Sequence, residues 1–209
     1  MTHEPTVFLV DDEPSARKSF QFLVESAGLR VEAYASATDF LAAYNPLTPG
    51  CLVLDVRMPR MSGLELQQRL LDANIRVPII FVSGHADVGI AANAFRAGAF
   101  DFVEKPVHDE DLLQRIRQAI SKDAEWRKQR THHEEVRRRI GTLTPREREV
   151  LDSLVQGKSI KQVASHFGVS VQTAAKHRAR VLEKMDVTNE VELVYLIHQL
   201  GGQEKKASQ

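Results

Sequence analysis

Three short apolar runs, each ending in a polar group, constrain this chain more than any other feature. VFLV at 7–10 leads into Asp11 and Asp12, CLVL at 51–54 into Asp55, and IIFV at 79–82 into Ser83. The runs are continuous rather than alternating, as in parallel strands covered by helices on both faces. With Arg30–Tyr34 and Phe100–Val103 they give five strand candidates, the outer limits of the others being Val7–Val10, Cys51–Leu54 and Pro78–Val82. Amphipathic helix patterns lie between and after them, at Ser15–Ala27, Ala37–Tyr44, Leu64–Asp72, Val88–Ala97 and Asp109–Ile120. Gly28 and Gly98 follow the first and fourth helices, where a left-handed cap is needed. Five β-α units of this length predict a doubly wound, five-stranded parallel α/β sheet over residues 1–120.

Residues 121–140 (SKDAEWRKQRTHHEEVRRRI) have almost no apolar periodicity but are rich in helix formers, with i,i+4 pairs at Glu134–Arg138 and Glu135–Arg139. They read as a solvated helical linker continuing the fifth helix, with Trp126 capping the first domain. From 141 to 200 the pattern is wholly helical and predicts a four-helix domain. Thr144 caps a helix with Pro145 at its first position, which runs to Gln156. Ile160–Phe167, a turn at 168–170, a helix to Met185 and a last helix at Glu190–Leu200 follow. Residues 201–209 read as a disordered tail.

Composition excludes several classes. No apolar run approaches the roughly 18 residues a membrane span needs, and residues 1–6 lack the basic and apolar regions of a signal peptide. The chain has one cysteine, Cys51, so no intramolecular disulfide forms; this favours a reducing, cytoplasmic compartment and a buried thiol. The net charge of zero hides an asymmetry: residues 1–120 carry 11 Lys and Arg against 16 Asp and Glu, while 121–209 carry 17 against 12. An acidic first domain and a basic remainder suggest a cation site and a polyanion partner.

In an open parallel sheet, ligands sit beyond the carboxyl ends of the strands. Asp11, Asp12, Asp55, Ser83 and Lys105 all fall there. Three carboxylates on one rim repel one another, and Mg²⁺, an oxygen-seeking ion, suits that set. Lys105 and Ser83 then offer a cation and a hydroxyl to a bound phosphoryl group. Asp55 is the nucleophile candidate, accepting phosphate as an aspartyl-phosphate. Pro59 and Gly63 shape the turn after it.

VDDE, VLDVRMPRMSG and DFVEKP together resemble the receiver domain of bacterial two-component response regulators, over residues 5–120. The resemblance implies Mg²⁺ bound by Asp12, Asp55 and the backbone carbonyl of Arg57, with Asp11 acting through water. It implies phosphorylation of Asp55 by a sensor histidine kinase, and phosphoryl binding by Ser83 and Lys105. Phe102 falls at the family's switch aromatic, Gly84 keeps access to the phosphate open, and Arg57 and His85 flank the site. A cis peptide is implied at Lys105–Pro106. SGHAD at 83–87 resembles the FixJ subgroup.

In the C-terminal part, Ile160–Phe167 and Val171–Met185 around a short glycine-containing turn fit a helix-turn-helix. Ala174, Val181 and Met185 share the inward face of the second helix; Gln172, Lys176, Ala179 and Arg180 share the outward one. LTPREREVL and GKSIKQVASHFGVSVQTAAKHRARVLEKMDV resemble the NarL/LuxR-type helix-turn-helix. This implies base contacts from Ala175, Lys176 and Ala179 and phosphate contacts from Lys161, His177, Arg178 and Lys184. The sequence departs from the common pattern: Ala174 replaces a β-branched residue and Ala175 an often charged one. Such a surface leaves little hydrogen-bonding readout but suits thymine methyls. In this family the helix corresponding to 190–200 pairs two DNA-binding domains.

Together the two resemblances imply a regulator rather than a turnover enzyme: a transcription factor whose binding to double-stranded promoter DNA follows Mg²⁺-dependent phosphorylation of Asp55. Homodimerisation on phosphorylation is expected, and RNA polymerase is a candidate partner. The alternative is a phosphorelay or interaction switch whose C-terminal bundle binds protein. A hydrolase of the haloacid-dehalogenase kind shares the aspartyl-phosphate chemistry, but would have a second aspartate where Arg57 stands.

Overall fold

The structure is a computed structural model that describes residues 4–84 and 88–204, with side chains described through 200. Contacts divide the chain into two units, Met1–Arg127 and Lys128–Gln209.

In the first unit, strands β1 (Thr6–Val10), β2 (Arg30–Tyr34), β3 (Gly50–Asp55), β4 (Ile79–Ser83) and β5 (Asp101–Glu104) form one sheet in the order β2-β1-β3-β4-β5. Every pairing is parallel. Helices α1 (Pro14–Ser26), α2 (Ala37–Ala43), α3 (Gly63–Asp72) and α4 (Val88–Arg96) form the crossovers, and α5 (Asp109–Gly141) follows β5. Successive strand side chains point to opposite faces, so the apolar runs feed two cores. Phe8, Leu52, Leu54 and Phe81 pack with Phe40, Leu66 and Leu70 on one face. Val7, Leu9, Cys51, Val53 and Ile80 pack with Val24, Leu112 and Ile116 on the other. Each such side chain contributes on the order of 1.5–3 kcal/mol on burial, which is why the runs carry no polar residue until they end.

Register sets the site. Val10 lies level with Leu54, Asp55 with Val82, and Ser83 with Glu104. The residues that follow these pairs therefore emerge on one rim. The β3–α3 turn is closed by Gly63 N–H donating to the Val56 carbonyl at 3.0 Å and by a capping box between Ser62 and Glu65. Gly63 is required by close approach: a Cβ there would lie 2.3 Å from the Asp55 carbonyl oxygen.

The segment expected as a solvated linker, 121–140, is helical, but each end is recruited into a unit. Asp123 is buried; its carboxylate accepts from Gly50 N–H at 2.8 Å and from Arg127 Nε at 2.6 Å. The Arg127 guanidinium also donates to the carbonyls of Pro46, Leu47 and Thr48 at 3.1, 3.0 and 2.8 Å. The first unit therefore extends to residue 127. Val136, 1% exposed, joins the core of the second unit. The expected Glu134–Arg138 pair is replaced: Glu134 accepts from Arg130, and Arg138 donates to Glu135, which also accepts from Arg139.

The second unit adds α6 (Pro145–Val155), α7 (Ile160–Phe167), α8 (Val171–Met185) and α9 (Glu190–Glu204). Thr144 and Ser159 form capping boxes at the starts of α6 and α7. Gly168, at φ 64°, ends α7 in the left-handed conformation, and Ser170 caps α8 two residues later. Helix α9 runs through Glu204 rather than ending at 200. The remainder of the expected tail, 205–209, lies outside the described residues.

Candidate functional site

A cleft of about 290 Å³ opens at the rim the register defines, lined by Asp11, Asp12, Glu13, Asp55, Arg57, Ser83, Gly84 and Lys105. All the rim residues singled out from the sequence converge there; Phe102 is not among them. Each is delivered by the end of a different strand or by the loop after it. Asp11 and Asp12 follow β1, Asp55 closes β3, Ser83 closes β4, and Lys105 follows β5. The Lys105–Pro106 peptide is cis.

Lys105 organises the charge. Its Nζ donates to Asp11 Oδ2 at 2.9 Å and to Asp55 Oδ1 at 3.4 Å. It also lies 5.5 Å from the ring centroid of Phe20, within cation–π range. Asp11, 2% exposed, accepts from Glu13 N–H through its other oxygen at 2.9 Å. Asp55 accepts from Arg57 N–H through Oδ2 at 2.8 Å. Burial pushes the Asp55 carboxyl above the usual carboxylate range; Lys105 opposes that rise and the negative charge of Asp11 adds to it. Burial alone would lower the Lys105 ammonium, but its bonds to Asp11 and Asp55 hold it above its ordinary value. Lys105 is thus a fully charged cation set against a carboxylate that is only partly desolvated, with 12% of its side chain exposed.

Ser83 is 2% exposed at the end of β4. Around Gly84 there is open space where a Cβ would stand. Phe102 is partly buried, its ring 6.2 Å from that of Phe81 against the core beneath the site. His85 lies outside the described residues.

No group of three or more His, Cys, Asp or Glu close enough to share a metal ion occurs among the described residues; the Lys105 ammonium stands between two of the carboxylates instead. The donor chemistry nevertheless fits Mg²⁺. Every donor on the acidic wall is oxygen, and Asp12 is an exposed carboxylate to which no described residue hydrogen-bonds.

In the second unit, α7, the turn at 168–170 and α8 form the expected helix-turn-helix. Ala174, Val181 and Met185 are 1%, 0% and 0% exposed, and Leu182 joins them. Gln172, Ala175, Lys176, Ala179 and Arg180 are exposed on α8, and Lys161 is exposed on α7. Of the other three expected contacts, two have partners inside the protein and the third is partly enclosed. Arg178 forms a two-pronged ion pair with Glu190 at the start of α9. Lys184 donates to Glu147 at 2.6 Å and to the Thr142 carbonyl at 3.1 Å, tying α8 to the start of α6. His177 is half-buried, with Nδ1 enclosed and unpaired. Charge pattern alone counts a basic side chain as outward; it does not show that an acid far along the sequence has claimed it.

Fold and site together define a doubly wound α/β domain with an acidic cleft at its carboxyl rim, followed by a helix-turn-helix. Residues 7–117 match the family described as "Response regulator receiver domain", and 141–197 the family "Bacterial regulatory proteins, luxR family". The chain belongs to the response regulators that carry a LuxR-type DNA-binding domain. Among its relatives, the transcriptional regulatory protein TdiR of Thauera aromatica is 40% identical over 192 residues, covering 92% of this chain and 85% of TdiR. FixJ of Azorhizobium caulinodans is 42% identical over 188 residues, covering 90% of this chain and 89% of FixJ. Among solved structures, the response regulator StyR superposes with a TM-score of 0.82 at 38% identity, covering 94% of this chain and 99% of StyR. The protein-binding alternative for the C-terminal domain is not favoured.

Proposed function

We propose that Asp55 is the phosphoacceptor and that its phosphorylation, from the phosphohistidine of a sensor kinase, controls binding of α8 to promoter DNA. A carboxylate oxygen of Asp55 attacks phosphorus, a P–O bond forms, the P–N bond to the kinase histidine breaks, and its electron pair returns to the imidazole. Asp12, Asp55 and the Arg57 carbonyl would hold Mg²⁺, with Asp11 acting through water. When bound, the ion neutralises charge on the phosphoryl oxygens. Lys105 already stands between Asp11 and Asp55 and needs only a small displacement to meet an incoming phosphoryl group; the Ser83 hydroxyl donates to another of its oxygens. Phe102, partly buried beside Phe81, turns inward as Ser83 moves, and the α4–β5 surface changes with it. The ligand favours one pre-existing conformation rather than creating a new one. Asp55 is a stoichiometric acceptor, which makes the chain a regulator.

The observation that carries this reading is the Lys105 ammonium 3.4 Å from a partly buried Asp55 at the carboxyl rim of a parallel sheet. For the DNA-binding half, Gln172, Ala175, Lys176, Ala179 and Arg180 would enter the major groove, with Lys161 on phosphate. Phosphorylation would pair two copies on a two-half-site operator in the cytoplasm, where RNA polymerase is a candidate contact. The test is to treat wild type and Asp55→Asn with a small phosphodonor and Mg²⁺, then select bound DNA from a random pool. Phosphate incorporation and a donor-dependent rise in affinity are expected for wild type alone. Incorporation into the Asn variant, or no donor-dependent change in wild type, overturns the proposal.

A further inference from the structure

Helix α1 directs at the β1–α1 loop a cation that the proposed chemistry leaves without a role. Arg17, on the second turn of α1, is half-buried and directs Nη1 onto the backbone carbonyl of Asp11 at 2.7 Å. Asp11 is thereby held at three points: Lys105 and the Glu13 N–H take its two carboxylate oxygens, and Arg17 takes its carbonyl. Asp12 is held at none, because no described residue bonds to its side chain. Its direction is therefore set by the peptide that joins it to Asp11, and Arg17 grips that peptide. We infer that Arg17 is a positioning residue for Mg²⁺ binding, aiming Asp12 by fixing the plane of the Asp11–Asp12 peptide.

This inference rests on the reading of Asp12 as a metal ligand, and it has a sign that simple electrostatics does not share. Arg17 is itself a cation, so by charge alone its removal strengthens the attraction of the acidic wall for Mg²⁺. If it positions Asp12, its removal weakens binding instead, because a freed carboxylate must be ordered before it can ligate. Partners of this second rank typically govern about 10–100-fold in metal affinity. Lysine keeps the charge but loses the planar guanidinium fork and its fixed direction.

The experiment is calorimetric titration of the full-length, unphosphorylated protein with MgCl₂. It compares wild type, Arg17→Met, Arg17→Lys and Asp12→Asn, with thermal unfolding recorded for each without metal. The expected result is about tenfold weaker Mg²⁺ binding in Arg17→Met and a smaller loss in Arg17→Lys. Phosphorylation by a small phosphodonor should return to near the wild-type rate once Mg²⁺ is saturating, a rescue that mere loss of stability does not give. Unchanged or tighter binding in Arg17→Met, with Asp12→Asn much weakened, overturns the positioning role and leaves the site standing. Unchanged binding in Asp12→Asn overturns the site reading itself. Should Arg17→Met not fold, Arg17→Lys carries the same test: binding as tight as wild type overturns the role.

Discussion

Lys105 holds Asp55 at 3.4 Å, the longer of its two carboxylate bonds, the shorter being to Asp11 at 2.9 Å. A cation so shared is attached mainly to the residue that does not react and is already beside the one that does. Lys105→Met should retain the fold yet lower the rate of phosphate incorporation from a small phosphodonor by about 10²-fold, the usual effect of removing one electrostatic donor from developing charge. Hydroxylamine-sensitive acyl phosphate measured over time checks this, and a rate within twofold of wild type contradicts it.

Gly63 touches the site through its backbone. A methyl group there would press on the Asp55 carbonyl at 2.3 Å. Gly63→Ala should destabilise the first unit by about 1–3 kcal/mol through overpacking. It should also slow phosphorylation more than a control Gly28→Ala, since Gly28 has nothing within 4 Å of its Cβ position but carries its own strain at φ 74°. Urea unfolding together with the phosphorylation rate separates the two effects.

Asp123 and Arg127 lie beyond residue 117, where the receiver match ends. Asp123→Ala removes the acceptor for both Gly50 N–H and Arg127 Nε. Leaving these donors unpaired should cost about 2–3 kcal/mol in the unfolding of the first unit. A fragment ending at 120 should accordingly unfold at lower urea than one ending at 130. Equal midpoints would show that the anchor contributes nothing.

Glu147 gives the second unit a defined acid sensitivity. Hydrogen bonds from Lys184 and from the Thr144 cap hold its carboxyl down at about 2, against 4.5 ordinarily. A depressed folded-state pKa contributes stability that is fully present above the unfolded value and lost as pH falls toward the folded one. The second unit's melting temperature should therefore drop between about pH 4.5 and pH 2, and Glu147→Gln should flatten that window while lowering stability at neutral pH. Calorimetry across pH 2–7 decides it.

On the recognition helix, exposure separates two groups of basic residues. Lys176→Ala and Arg180→Ala should each reduce the salt slope of DNA binding by about one. Arg178→Ala and Lys184→Ala, which break internal pairs with Glu190 and Glu147, should lower the melting temperature and leave the slope nearly unchanged.

Much of this molecule was legible in its sequence because burial is sharply punctuated. VFLV, CLVL and IIFV are apolar until the rim and polar immediately after it, so strand ends and site residues were read from the same boundary. Arg17 was not legible, because a bond to a backbone carbonyl leaves no trace in residue type. Asp123 and Arg127 were hidden for a different reason. An i,i+4 acid–base pair on a polar helix looks the same whether water or the β3 entrance covers it. For Arg178 and Lys184, phosphate contact is implied by the family resemblance; their ion pairs with Glu190 and Glu147 are invisible in the sequence because those acids are distant along the chain. Val136 was a lone apolar residue among charges, too isolated to signal periodicity, yet it enters the second core.

Cys51 sits in β3 with no exposed surface, and burial pushes its thiol up to about 12. Because only the thiolate attacks electrophiles, maleimides and mild oxidants should leave the native fold untouched. A cysteine introduced on α4 or α8 can then carry a fluorophore against a silent background, and the native thiol becomes a reporter that reacts only when the sheet opens.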